Sequence, residues 1–385
     1  MQTFASGPTK ALHAPRRIVT LPIRESEPAH ERAVHHALAR SLAWLLGGHY
    51  AGDHDPVRDE PGPADTRCYF LPSSTIVGAD RARALGIIDG DDLFGGVVDE
   101  AFICTKAISH AVVGPDAHRP PGWSDAFSQR TTDAVLAGWT AFSADDAREG
   151  ARRLLRHGPV RLKPVDATAG RGQQVLHDDR AIDEALQRLD PDALGRTGIV
   201  VEAHLEDVVT LSVGQVHVAG MTIAYTGTQR LVPDNQGEHV YGGSTLTVVR
   251  GGLDALLARP LPGDIRRAVT QAQCYDEAAR ACYPGLCASR RNYDIAQGRA
   301  ADGRWHSGVL EQSWRVGGAS AAELAAMLRF AQDPSLDAVE ASTYEVYGAT
   351  PMPTPARDAA ILYHGDDPDL GRLMKYVTIK AHGDT

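Results

Sequence analysis

The chain has 385 residues, 43% of them hydrophobic and 23% charged, so it is long enough for two or three compact lobes around a buried core. Its 39 basic and 49 acidic residues give a formal charge of -10, and no Lys/Arg block able to neutralise a phosphate backbone occurs, which argues against nucleic acid as a partner. The start has no apolar core of signal-peptide length and no run of about 18 apolar residues follows, so a soluble, cytoplasmic protein without a membrane partner is expected.

In chain order, RRIVTLPI predicts a short buried strand, and HERAVHHALARSLAWLLGG predicts a helix with Val34, Leu38, Leu42, Leu45 and Leu46 on one side, stopped at Gly47-Gly48. A loop rich in Pro, Asp and Gly is expected from Asp53 to Asp65, then a second strand in RCYFLPSSTI. The segment LFGGVVDEAFICTKAISHAVV leads to GPDAHRPPGW, whose proline and glycine density marks a lobe boundary near residue 120.

From Ser143 the string SADDAREGARRLLRHG predicts a helix with acidic residues in its first turn, and PVRLKPV a strand after it. A glycine-bearing turn, further strand, a helix from Asp179 to Leu189 and the strand TGIVVEAHL follow. LSVGQVHVAGMTIAY alternates as a hairpin turning near Ala219-Gly220, NQGEHVYGGSTLTVVRGG reads as a surface turn, and PGDIRRAVTQAQCYDEAARACY predicts a long helix.

Two clusters carry chemistry. Lys163 ends an apolar strand and is followed by Gly170, Arg171 and Gly172, where flexible glycines let backbone N–H groups approach phosphate oxygens. A lysine before Gly-x-Gly also occurs in many plain turns, so the second cluster decides its weight. There, YDIAQG and VLEQSWRVGGAS place Asp294 and Glu311 on two neighbouring strands, a carboxylate pair of the kind Mg²⁺ takes alongside nucleotide phosphates. Strand alternation puts Glu311, Ser313 and Arg315 on one side, with Gln312 and Trp314 on the other.

With these residues the sequence resembles the ATP-grasp superfamily, whose pattern is a strand lysine before a glycine-rich loop, a hinge strand ending in glutamate, and a late Glu-x-Asn-x-Arg strand. The resemblance spans roughly residues 125 to 333 and implies an α/β (α+β) ATP-grasp fold. An N-terminal α/β lobe (1–120) would precede the ATP-grasp domain (121–333), and a C-terminal extension (334–385) would follow it. Within that domain a lid would run from about 140 to 200 and a catalytic part from about 201 to 333.

The resemblance further implies ATP and Mg²⁺ as cofactors, Lys163 on phosphate, Gly170, Arg171 and Gly172 as the loop over the phosphates, and the hinge IVVEAHL around adenine. Glu202 would take the adenine amino group, with His204 and Leu205 beside it; Glu206 stands for the ribose carboxylate because the usual position is Thr210. Asp294, Glu311 and Ser313 would face the metal, Ser313 replacing the family's asparagine, and Arg315 the transferred phosphate. For the lysine that many members place on the α-phosphate, Arg130 is preferred, with Lys106 further upstream.

The implied activity is an ATP-dependent ligase that makes an acyl phosphate from a small carboxylate and joins it to an amine; a homodimer is compatible. A kinase on the same fold, or a nucleotide-binding module without turnover, are the alternatives. The sixteen histidines form no zinc motif, and Cys68, Cys104, Cys274, Cys282 and Cys287 contain no Cys-x-x-Cys pair.

Overall fold

The computed structural model describes residues 16–23, 27–57, 59, 67–165, 172–348 and 354–381. The apolar run RIVTL forms the strand Arg17–Leu21, which pairs in parallel with His49–Asp53 on one side and Cys68–Pro72 on the other. Helix Ala29–Leu45 connects the first two strands and buries Leu38, Ala39, Leu42 and Ala43, a helical spacing. The chain turns back through Gly47, whose φ of 64° lies in the left-handed region. Of the expected loop, Asp53 ends a strand that has no clear alternation in the sequence, and positions 58 and 60–66 lie outside the described residues.

A four-stranded antiparallel sheet follows, in the order Gly138–Ala141, Ile199–Ala203, Val160–Pro164, Gln174–Leu176. Helix Ala144–Leu155 opens at Ser143, whose hydroxyl accepts the Asp146 N–H at 3.1 Å. It and helix Asp179–Leu186 cover the sheet with Ala147, Ala151, Ile182 and Leu186, packed on Leu162 and Val201.

The largest sheet has eight strands, ordered Trp305–Ser313, Arg290–Arg299, Glu206–Val218, Met221–Pro233, His239–Arg250, Ala338–Tyr347, Gly371–Ala381, Ala360–Asp367. Its hairpin turns at Ala219 (φ 54°) and Gly220 (φ 72°), two successive left-handed residues that match the twist of the flanking strands.

The stretch NQGEHVYGGSTLTVVRGG departs from the expected surface turn. His239–Arg250 is a strand in the middle of the sheet, and its glycines serve close packing. A Cβ on Gly242 would meet the Val232 side chain at 2.5 Å, and one on Gly243 the Thr343 carbonyl at 2.0 Å. Arg250 donates to the carbonyls of Phe330 and Leu336, each at 2.6 Å, around the end of helix Ser320–Gln332.

Helix Gly263–Cys282 covers one face of this sheet, with Ala268, Val269, Ala272 and Tyr275 against Leu211, Val213, Tyr293 and Ile295. On the other face Leu324, Met327 and Phe330 of helix Ser320–Gln332, with Leu38 and Leu42, pack on Val216, Leu246 and Val248. The stretch expected as a C-terminal extension supplies three of the eight strands. No described helix is long and apolar enough to cross a membrane.

Candidate active site

Lys163 and Glu202 lie on adjacent strands of the four-stranded sheet, where Lys163 pairs with Val200 and Arg161 with Glu202. Both side chains are almost fully buried and joined by an ion pair. The second carboxylate oxygen of Glu202 meets His110 Nε2 at 3.2 Å. Burial alone would push this carboxyl up, but the Lys163 ammonium and the His110 hydrogen bond outweigh it and hold it at about 2. Gly138 is required beside this pair, since a Cβ there would meet the His110 ring at 2.6 Å.

Asp294 and Glu311 are direct cross-strand partners at one end of the largest sheet, and so face the same side. Gln229 Nε2 donates to Asp294 Oδ1 at 2.9 Å. Burial, and then the negative charge of Glu311, push the Asp294 carboxyl up to about 7. A carboxyl raised this way favours the fold in its protonated form. Its contribution is complete below its ordinary value of 3.8 and is lost as pH rises through about 7. Melting in a chelator should therefore show Asp294→Asn and wild type alike near pH 4, with the variant more stable by pH 8; a pH-independent difference would count against the raised carboxyl.

Glu311 is ion-paired with Lys106, on the short 3₁₀ turn Lys106–Ser109: the Lys106 Nζ lies 2.9 Å from Glu311 Oε2 and 3.5 Å from the Pro164 carbonyl. Lys106 thus touches the carboxylate strand of one sheet and the lysine strand of the other, while His110, just beyond the turn, reaches Glu202. From the opposite face of the carboxylate strand, Gln312 Nε2 donates to the carbonyls of Ile103 at 2.8 Å and Thr105 at 2.7 Å and fixes this segment. Arg130, by contrast, is exposed at the end of helix Asp125–Thr131.

From the end of the carboxylate strand into the segment after it, Glu311, Ser313 and Arg315 are half-buried while Gln312, Trp314 and Val316 are buried, so the expected alternation continues past the strand's last residue, Ser313. Beneath it Arg290, fully buried, is paired with Glu323 and donates to the carbonyls of Ser313 and Arg315. Glu323 also accepts from Tyr225 Oη at 2.6 Å, and Asn292 donates to Tyr225 Oη and to Ser212. The turn that carries Arg315 thus rests on a connected polar network. The Arg315 Nη1 donates to the Val316 carbonyl at 2.9 Å.

At the hinge, His204 Nδ1 accepts from Arg161 at 3.1 Å, and burial followed by the nearby Arg161 charge lowers the pKa of His204. Leu205 is buried in a small apolar cluster with Leu136 and Ala296, against which Leu310 packs. Glu206 begins the next strand and is exposed. Gly172 has a φ of 69°, whereas Gly170 and Arg171 lie outside the described residues. The carboxylates and the hydroxyl of Ser313 are all hard oxygen donors, and among the described residues no group of three or more His, Cys, Asp or Glu side chains is arranged to hold a metal ion by itself. This donor set fits Mg²⁺ whose remaining positions are filled by ligand oxygens.

A comparison with curated proteins found no match. Among solved structures, the biotin carboxylase domain dimer of Hydrogenobacter thermophilus 2-oxoglutarate carboxylase, in complex with MgADP, ADP and bicarbonate, is similar with a TM-score of 0.51. It is 11% identical, and the match covers 95% of this chain and 86% of that one. Biotin carboxylase from Campylobacter jejuni, in a β,γ-ATP complex, is similar with a TM-score of 0.50 and 12% identity over 95% of this chain and 87% of that one. At such identities the likeness is one of fold, and the fold is ATP-grasp. The family model DUF3182, described as protein of unknown function, matches residues 18–377, and the chain therefore belongs to that family.

Proposed function

We propose that the protein is an ATP-dependent ligase that activates a small carboxylate as an acyl phosphate and couples it to an amine or similar nucleophile. The observation that carries this reading is the Asp294–Glu311 pair, two carboxylates in cross-strand register beside Lys106 and close to the lysine strand. The two similar structures named above were solved with β,γ-ATP and with MgADP, which supports a nucleotide at the corresponding cleft.

In this reading Leu205, Ala296 and Leu310 offer the base an apolar floor, and hinge backbone groups read its edge. Lys163 and Lys106 bind phosphate oxygens, and Arg315 faces the γ-phosphate. Asp294 and Glu311, with Ser313, would hold Mg²⁺, which supplies charge neutralisation along the phosphates. A substrate carboxylate oxygen attacks the γ-phosphorus, the bond to the β–γ bridging oxygen breaks, and ADP leaves. The amine then attacks the acyl carbon, phosphate departs, and the amine proton passes to solvent or a nearby base. Arg315 and the two lysines oppose the charge on the phosphoryl oxygens while this happens.

The test is the melting temperature of wild type and Glu311→Gln with and without Mg²⁺-ATP. Ligand at about 100 times its Kd should stabilise the native wild type by about 2.7 kcal/mol. The rise should depend on the metal and vanish in the variant; a rise of equal size in both, or in neither, overturns the reading. Amide rather than phosphoester as the product separates ligase from kinase.

A further inference from the structure

On the face of the largest sheet turned away from Asp294 lies a cavity of about 410 Å³, within the size range of small-molecule sites. Asp294 pairs with Ser212 and Ser212 with Gly227, so the neighbours Leu211, Thr226 and Thr228 point to the other side. Four threonines tile that floor in two cross-strand pairs, Thr226 with Thr247 and Thr228 with Thr245. The roof is the connection from Leu256 to Ile265, including Arg259 between apolar Leu256 and Leu261 and stiffened by Pro260 and Pro262.

The hydroxyls here are short of acceptors. Thr226 is 7% exposed, and its Oγ1 is buried without a hydrogen-bond partner. A change of χ1 rotamer moves the hydroxyl to another staggered position on this side chain, which lines the cavity. Thr245 Oγ1 accepts from Arg230 at 2.7 Å and from Ser342 at 3.0 Å, which occupies its lone pairs and leaves its own hydrogen for a further acceptor. Arg259 adds a guanidinium, whose carboxylate contact is the exposed Asp337 at 3.3 Å.

Two hydroxyl donors and a cation ask for an anionic acceptor, and Leu211, Leu256, Leu261 and Ile265 ask for hydrocarbon. We infer that this cavity is a binding site for a monocarboxylic acid with an apolar chain of medium length. The carboxylate meets Arg259 and the threonine hydroxyls, and the chain lies against the leucines. The inference stands apart from the nucleotide reading and shares no side chain with it.

Isothermal titration of the full chain with octanoate, and with uncharged octanamide of the same shape, tests it. Octanoate should bind, octanamide at least about tenfold more weakly, and Arg259→Gln should abolish the difference. Thr226→Val should weaken octanoate binding while keeping or raising the melting temperature, because a methyl replaces an unpartnered hydroxyl of the same shape. That variant separates loss of the ligand contact from loss of the fold. Equal binding of acid and amide, no heat from either at millimolar concentration, or an Arg259→Gln variant with wild-type affinity would each overturn the assignment.

Discussion

Glu323→Gln is expected to lower the stability of the chain by roughly 3 to 5 kcal/mol, the usual consequence of removing one member of a buried ion pair. Arg290 and Glu323 are both fully buried, and the other side chains of this network, Tyr225, Asn292 and Ser212, are polar and buried as well. Without the carboxylate, the guanidinium keeps its charge but loses its counterion, and one of the two acceptor oxygens that Arg290 and Tyr225 use is replaced by an NH2 donor. Chemical denaturation reads the effect as a drop in midpoint at constant slope. A double variant, Arg290→Met with Glu323→Leu, should recover part of the loss, because it removes both charges together. An unchanged midpoint for the single variant would mean that the pair is solvated.

Lys163→Ala should have the second large effect, on both ligand and fold. A hydrogen bond to a charged group contributes about 1.5 to 3 kcal/mol, so ATP use should fall about tenfold to a hundredfold or more. The variant also leaves the Glu202 carboxylate buried with His110 alone. A carboxylate held at about 2 stabilises the fold above its ordinary value of 4.5, and this contribution is lost as pH falls through about 2. The melting temperature of Lys163→Ala should accordingly trail wild type most at neutral pH, with the gap closing on acidification below about pH 4.5. Wild-type ATP use in the variant would remove Lys163 from the proposed site.

Much of the fold was legible because its long elements obey simple periods. The helix opened by Ser143, the hairpin at Ala219-Gly220, the long helix after Pro262 and the strands bearing Lys163, Asp294 and Glu311 all lie where spacing and capping chemistry put them. The strand His239–Arg250 was hidden because its glycines read as a turn, when they let backbones approach. The pairing of the last three strands is long-range, and nothing local encodes it.

The same distinction applies to the site. Facing carboxylates follow from two neighbouring strands, but the contact of Lys106 with Glu311 depends on a turn tied down by Gln312, more than two hundred residues away in sequence. A signal was present nonetheless. Lys106 interrupts the apolar run AFICTKAIS, and a lysine in such a setting must be buried with a partner. The ion-paired role of Glu202 and the clamp formed by Arg290 likewise depend on partners supplied by other elements.

The pairing of Lys106 with Glu311 and of Lys163 with Glu202 has a consequence for the order in which ligands arrive. With each anion already satisfied by a cation, a metal approaching Glu311 alone must displace Lys106, and a phosphate approaching Lys106 alone must leave Glu311 uncompensated. When both arrive, each occupies the partner the other has vacated. At the proposed site metal and nucleotide would therefore bind with positive cooperativity, and linkage would make the gain reciprocal: the factor by which Mg²⁺ tightens ATP would equal the factor by which ATP tightens Mg²⁺.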